Sequence, residues 1–130
     1  MNQPHALLVD DCNESRLLIR LILTPRGYVI TEAEDAAEAS DLLKTNHFDL
    51  IVLDIAMVGI DGFTIAEQIR KGLHGPFNMD TYIVGCSGLY LNKRNLSREA
   101  TGMDLFFNKP LESVRKFADK IDTLLGRAAC

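Results

Sequence analysis

The sequence predicts an α/β fold in which helices cover both faces of a parallel sheet. Short apolar runs alternate with stretches of helical spacing along the 130 residues, an order typical of parallel sheets. The third apolar run, residues 50–53, is hydrophobic at every position, as expected for a strand buried on both faces. Hydrophobic residues make up 47% of the chain and charged residues 25%, a balance typical of one soluble globular domain.

The first strand and helix follow from an apolar run and a helical repeat. Residues 6–9 are apolar and stop abruptly at two aspartates, which predicts a buried strand. Residues 14–23 repeat large apolar side chains at helical spacing. The side chains expected to face inward are Leu17, Leu18, Leu21 and Ile22. We expect Asp11 or Asn13 to cap this helix, and the proline and glycine within residues 25–27 to end it.

The remaining elements continue the alternation. The other predicted strands are residues 28–33, 50–53, 82–86 and 105–107, and the other predicted helices are residues 36–46, 63–71, 92–101 and 112–125. The residues expected to face inward are Ala39, Leu42 and Leu43 in the second helix, Phe63, Ala66 and Ile69 in the third, and Val114, Phe117, Ile121 and Leu124 in the fifth.

Composition disfavours several classes of protein. No apolar run approaches the roughly 20 residues that cross a membrane, and the N-terminus does not resemble a secretory signal. Three cysteines at unpaired spacing argue against a disulfide framework and for a reducing compartment. The net charge of −4 disfavours a general attraction to nucleic acid.

Residues with useful chemistry follow four of the five predicted strands. They are Asp10, Asp11, Asp54, Ser87 and Lys109. The carboxyl ends of parallel strands meet at one edge of the sheet, where ligands bind. Any one of these residues alone would more often be a helix cap or a solvated surface group. Together they predict a crevice with three carboxylates, one hydroxyl and one ammonium group.

Such a crevice favours a divalent cation and phosphoryl chemistry. Two carboxylates ~4 Å apart repel by about 4 kcal/mol at an effective dielectric constant of ~20, and a cation offsets this repulsion. Oxygen ligands suit Mg²⁺, with Mn²⁺ as a substitute, rather than zinc. A carboxylate beside such a cation is able to attack a phosphoryl donor, while Lys109 and Ser87 stabilise the transferring oxygens.

The motifs together resemble the receiver domain of two-component response regulators. They are Leu8-Val-Asp-Asp11, Leu53-Asp-Ile-Ala-Met57, Asp61-Gly62, Ser87 and Phe106-Phe-Asn-Lys-Pro110. The resemblance covers residues 6–125 and implies a flavodoxin-like doubly wound sheet with strand order 2-1-3-4-5. It implies Asp54 as the phospho-acceptor. It also implies a Mg²⁺ site formed by Asp10, Asp11, Asp54 and the backbone carbonyl of Ala56.

The resemblance further implies a switch and a set of partners. Ser87 and Phe106 match the family's switch residues, Lys109 matches its invariant lysine, and the peptide bond from Lys109 to Pro110 is expected to be cis. The phosphoryl donor would be the phosphohistidine of a histidine kinase or a histidine phosphotransfer protein. A downstream protein would bind a face formed by helix 4, strand 5 and helix 5. We expect one receiver domain over residues 1–130 without an output domain, in the cytoplasm, with no contact to nucleic acid and no membrane insertion. It would act as a signalling phospho-acceptor and not as an enzyme.

Three positions depart from the family or flank the site. Val58 stands where the family usually has proline, which leaves the shape of the loop after Asp54 open. Ala56 and Leu89 flank the acidic crevice, and neither side chain is able to orient a water molecule. We therefore expect slow loss of the phosphoryl group.

Three alternative classes are weighed against a receiver. A haloacid-dehalogenase-like phosphatase needs a second aspartate at the position of Ala56. A flavodoxin-type electron carrier needs a phosphate-binding loop where this chain has acidic residues 10–14. A pseudo-receiver, which is an interaction module that is never phosphorylated, stays open.

Overall fold

The computed structural model describes residues 3–88 and 97–127 and contains a parallel sheet flanked by helices. The strands are β1 (His5–Val9), β2 (Val29–Ala33), β3 (Leu50–Asp54), β4 (Tyr82–Ser87) and β5 (Leu105–Asn108). The helices are α1 (Asn13–Leu23), α2 (Ala36–Thr45), α3 (Gly62–Arg70), α4 (Arg98–Thr101) and α5 (Val114–Leu124). The strand order is β2-β1-β3-β4-β5, which confirms the predicted doubly wound fold.

The central strand supplies side chains to both faces of the sheet. Ile51 and Leu53 lie in a hydrophobic cluster with side chains of α2 and α3. Leu50 and Val52 lie in the opposite cluster, with side chains of α1 and α5. All four are at most 2% exposed. The uninterrupted apolar run of β3 therefore arises because successive side chains of a strand enter two different cores.

The prediction for the inner face of α1 is wrong. The buried residues of α1 are Arg16, Ile19, Ile22 and Leu23. Leu17, Leu18 and Leu21 are 54%, 46% and 62% exposed, and only Ile22 of the predicted set is buried. Both sets of residues have helical spacing. The buried set includes an arginine, so hydrophobicity alone favoured the set of leucines.

The predicted caps of α1 are also wrong. The N-cap residue is Cys12, and its side chain makes no capping hydrogen bond. The Asp11 carboxylate instead accepts a hydrogen bond from the Val58 N–H. The Asn13 side-chain oxygen accepts one from the Arg16 guanidinium. The end of α1 is as predicted, since a short 3₁₀ turn, Thr24–Arg26, follows it.

The other helices agree with the sequence in most positions. Ala39 and Leu43 of α2, Ala66 and Ile69 of α3, and Phe117 and Ile121 of α5 are buried as predicted. Leu42, Phe63 and Leu124 are partly buried against the two cores. Val114 is 50% exposed and does not face inward. Of the predicted fourth helix, only Arg98–Thr101 is described as helical, and residues 92–96 lie outside the described part of the chain.

No helix in the described residues is both long enough and apolar enough to cross a membrane.

Gly85 allows close packing between β4 and the segment before β5. A Cβ atom at this position would lie 2.5 Å from the Met103 sulfur and 3.1 Å from Cδ1 of Ile55. Met103 is fully buried, so its sulfur has little room to move away. Met103 therefore occupies the space that a side chain at Gly85 would need. This space also borders Phe106, which is the partner of Gly85 on β5.

We predict that Gly85→Ala lowers the free energy of unfolding by about 1–3 kcal/mol, because the added methyl group overpacks this contact. Met103→Ala opens the same space at its own cost, so the two losses should be less than additive in the double variant. Urea denaturation of the unmodified protein, the two single variants and the double variant measures these free energies of unfolding. Gly88→Ala is the control, since nothing lies within 4 Å of a Cβ atom there. Additive losses would contradict the direct contact.

Candidate functional site at the carboxyl edge of the sheet

Three carboxylates meet where β1 and β3 end. Val9 of β1 is paired with Leu53 of β3, so the residues that follow each of them lie side by side. One oxygen from each of Asp10, Asp11 and Asp54 lies within 4.8 Å of the others. Asp10 and Asp54 are buried, whereas Asp11 is exposed. The structure thus brings together the three carboxylates that the strand ends predicted.

Lys109 brings a positive charge to these carboxylates from the loop after β5. Its Nζ lies 2.7 Å from Oδ2 of Asp10 and 3.6 Å from Oδ1 of Asp54. Its backbone N–H donates to the Ser87 carbonyl at 2.8 Å, which ties this loop to the end of β4. The Lys109–Pro110 peptide bond is cis, as the resemblance implied.

The electrostatics of the crevice follow from burial and from this ion pair. Burial raises the pKa of Asp54, and the negative charge of Asp10 raises it further, while Lys109 acts in the opposite direction. Burial is the largest single influence on Asp10 and acts to raise its pKa. The hydrogen bonds from Lys109, Ser15 and the Cys12 N–H, together with the charge of Lys109, outweigh burial and hold the pKa of Asp10 below its usual range. The pKa of Lys109 is raised despite burial, because both carboxylates stabilise its charge. The lysine therefore stays protonated and its hydrogen bond to Asp10 persists at neutral pH.

Ser87 and Phe106 lie on the two neighbouring strands at this edge. Ser87, the last residue of β4, is fully buried. Phe106 of β5 is partly buried, and its ring centroid lies 6.0 Å from that of Phe63 on α3. Cys86 pairs with Asp54 in the sheet and is buried. Burial raises the pKa of the Cys86 thiol to about 12, so it is neutral and contributes no charge to the crevice.

The loop between β3 and α3 shapes the crevice around Asp54. The Ala56 N–H donates to Oδ1 of Asp54 at 3.2 Å, and the Ala56 side chain is exposed. Gly62 packs against the end of β3, since a Cβ atom there would lie 2.8 Å from both the Asp54 carbonyl oxygen and the Ile55 Cα atom. The Asp61 side chain caps α3 by accepting from the Thr64 N–H. The Asp61-Gly62 motif thus fixes the loop and allows α3 to begin close to the strand.

Val58 has a role that the sequence did not reveal. Its backbone N–H donates to Oδ2 of Asp11 at 3.2 Å, and its side chain is 92% exposed. Proline, which is usual here in the resembling family, has no N–H and would lose this contact. The departure at position 58 therefore gives Asp11 a backbone partner across the crevice.

Arg16 is a buried residue beside the site that was not among the predicted site residues. Its side chain is 10% exposed and lies directly behind the acidic residues, where it donates to the Asp10 carbonyl. The available signal was an arginine at helical spacing within the stripe that includes Ile19 and Ile22. Leu89, the second residue expected to flank the crevice, lies outside the described part of the chain.

The ligand atoms in this crevice fit a hard divalent cation. The acidic group consists of carboxylates alone, and Mg²⁺ prefers a small number of carboxylates together with water. Two of the three carboxylates are buried and they are close enough to repel one another, so a cation would relieve an unfavourable charge arrangement. This acidic cluster is compatible with Mg²⁺ binding.

Comparison with known proteins agrees with this geometry. Residues 6–121 match the response regulator receiver domain. The chain is 33% identical to protein PetR of Rhodobacter capsulatus over 129 residues, which cover 95% of this chain and 49% of PetR. It is 30% identical to the chemotaxis protein CheY of Bacillus subtilis over 110 residues, covering 84% of this chain and 88% of CheY. The chain spans about half the length of PetR and of the regulator ResD of Bacillus subtilis.

A solved structure of a response regulator is also similar to this chain. Response regulator TrrA from Thermotoga maritima, in complex with Mg²⁺-BeF, has a TM-score of 0.76 and 31% sequence identity, covering 93% of this chain and 98% of TrrA. The fold and the residues at its carboxyl edge define a signalling domain of the CheY-like kind. This chain belongs to the response regulator receiver domain family.

Proposed function

We propose that this chain accepts a phosphoryl group on Asp54 from the phosphohistidine of a histidine kinase or a histidine phosphotransfer protein. The observation that carries the proposal is the placement of Asp54. Its buried carboxylate lies 3.6 Å from the Lys109 ammonium and within reach of the two other acidic residues. A nucleophile in this position has a cation-binding site on one side and a fixed positive charge on the other, which suits phosphoryl transfer.

Asp54 is a better candidate acceptor than Asp10. The Asp10 carboxylate is held by Lys109 at 2.7 Å and by the Cys12 N–H at 2.9 Å, so both of its oxygens are engaged. The contacts to Asp54 are longer, at 3.6 Å from Lys109 and 3.2 Å from the Ala56 N–H. An oxygen with weaker contacts is more available to attack phosphorus.

Asp10, Asp11, Asp54 and the backbone carbonyl of Ala56 would hold Mg²⁺, or Mn²⁺ in its place. When bound, the cation would neutralise charge on the transferring oxygens. The complex of TrrA with Mg²⁺-BeF supports this assignment, since TrrA has the same fold at 31% sequence identity. Lys109 and Ser87 would stabilise the phosphoryl oxygens, Lys109 by its charge and Ser87 by donating its hydroxyl hydrogen.

The output of the domain would be a change of surface. With a phosphoryl group on Asp54, the Ser87 hydroxyl would move towards it, and Phe106 would turn into the space released beside β4. The face formed by α4, β5 and α5 would then change, and a downstream protein would bind it. The chain would act as one receiver domain in the cytoplasm and would promote only its own phosphorylation and dephosphorylation. The domain would need no contact with nucleic acid.

We expect that acetyl phosphate with Mg²⁺ adds one phosphoryl group to the protein, measured by intact mass, and that Asp54→Asn abolishes the gain. Asp61→Asn is the matched control. It alters an aspartate of the adjacent loop but keeps a residue that caps helices well, so it should be phosphorylated normally. A protein that gains no mass, or gains it equally after Asp54→Asn, would instead favour the pseudo-receiver alternative.

The switch is tested with beryllofluoride, a phosphoryl analogue, and Mg²⁺. We expect amide NMR shifts at Ser87 and Phe106 and in α5, because these residues rearrange around an occupied Asp54. Asp54→Asn with the same additions should leave the spectrum nearly unchanged. If beryllofluoride binds and Ser87 and Phe106 do not shift, then Phe106 is a fixed core residue in both states and the switch proposal fails.

We also predict slow loss of the phosphoryl group. Ala56 is exposed beside Asp54 and has no polar group that would orient the attacking water. Ala56→Asn should therefore accelerate decay in Mg²⁺ buffer, by on the order of 100-fold if orienting the water is worth as much as general acid–base assistance. Leu89→Glu should act in the same direction. Ala56→Val adds bulk without polarity and serves as the control. Fast decay of the unmodified protein would show that these positions do not set the lifetime.

A further inference from the structure

We propose that Arg16 is a positioning residue that fixes the peptide between Asp10 and Asp11 and so presents both carboxylates to a divalent cation. This inference rests on the cation site described under the proposed function, but it concerns a side chain that does not contact the cation.

All three nitrogens of the Arg16 guanidinium are engaged within the fold. Nε donates to Oε1 of Glu32 on β2 at 2.9 Å. Nη1 donates to the Asp10 carbonyl at 2.5 Å. Nη2 donates to the side-chain oxygen of Asn13, the first residue of α1. The guanidinium therefore joins the end of β1, the start of α1 and β2 at a single buried point.

The contact with the Asp10 carbonyl matters because that carbonyl belongs to the peptide that links the two acidic residues. The Asp10 N–H already donates to the Ala33 carbonyl of β2 at 3.2 Å. With Arg16 on the carbonyl, the backbone of Asp10 is held at both ends. Since the peptide group is planar, its fixed orientation also restricts the direction in which Asp11 leaves the strand.

This constraint acts against a real opposing force. The three carboxylates repel one another, and Asp11 is the exposed member that is most able to move away. The Asp11 carboxylate accepts a hydrogen bond from the Val58 N–H at 3.2 Å. A loop free to relax outwards would have to be reordered when a cation binds, and that ordering would reduce affinity.

The charge of Arg16 does not itself favour binding of a cation. A lone guanidinium behind the crevice would repel a cation. Glu32 offsets this charge only in part, because the same carboxylate also pairs with Arg20 at 2.6 Å. Arg16 thus contributes geometry rather than charge, in the way that residues behind a metal site orient its ligands.

Isothermal titration with Mg²⁺ alone, on the full chain, tests the proposal. Arg16→Met should weaken Mg²⁺ binding at least about tenfold, the usual range for residues that orient metal ligands. Arg20→Met is the matched control, since Arg20 shares Glu32 but is exposed and has no described contact with Asp10. It should bind Mg²⁺ within about twofold of the unmodified protein, because an exposed ion pair contributes little. Carbonyl and amide NMR shifts of the peptide between Asp10 and Asp11 should change in the first variant only.

The outcomes distinguish a positioning role for Arg16 from a role in fold stability alone. If Arg16 only stabilises the fold, Arg16→Met lowers thermal stability while the folded protein binds Mg²⁺ as before, and that result overturns the proposal. If Arg16→Met does not fold, Arg16→Lys decides. It keeps the charge but has a single nitrogen for three acceptors, so unchanged Mg²⁺ affinity and unchanged peptide shifts in this variant would equally overturn the proposal. Failure of the unmodified protein to bind Mg²⁺ would instead reject the cation site itself.

Discussion

The contact of Lys109 with Asp10 and Asp54 is the interaction on which the arrangement of the carboxyl edge depends. The lysine comes from the loop after β5, and the aspartates end β1 and β3, so one ammonium group joins three separate parts of the chain. It compensates part of the repulsion among carboxylates that the parallel sheet forces together. The same contact leaves Asp10 firmly held and Asp54 more loosely held, which differentiates two carboxylates of identical chemistry.

The fold could be predicted wherever hydrophobicity had a single interpretation. In β3 each side chain enters one of two cores, so the sequence is apolar without a break. In α1 two stripes satisfy the same helical period, and the period alone does not choose between them. The buried stripe contains Arg16, whose polar end is satisfied by the Asp10 carbonyl after β1 and by Glu32 of β2. Such tertiary contacts have no local signature, and the leucines were assigned inward for that reason.

The acidic residues of the site were predictable because strand order alone places strand ends together. Their supporting contacts were not. The hydrogen bond from the Val58 N–H to Asp11 is made by a backbone group, so the identity of the side chain does not indicate it. The contact between Gly85 and Met103 joins β4 to the segment before β5, and it depends on the absence of a side chain at Gly85. Sequence patterns identify reactive groups, whereas the constraints that orient them arise only from three-dimensional packing.

The charge count of the crevice has a consequence for how fast a donor can arrive. Three ionised carboxylates and one ammonium leave a net charge of −2 in the crevice, and the phosphorylated donor of the proposed function is itself an anion. The field of the crevice would therefore slow the encounter until a divalent cation cancels it. In that case the cation would govern the association rate of the two proteins as well as the chemical step. The association rate would then depend on the concentration of divalent cations more than on monovalent salt, since monovalent ions only screen this field.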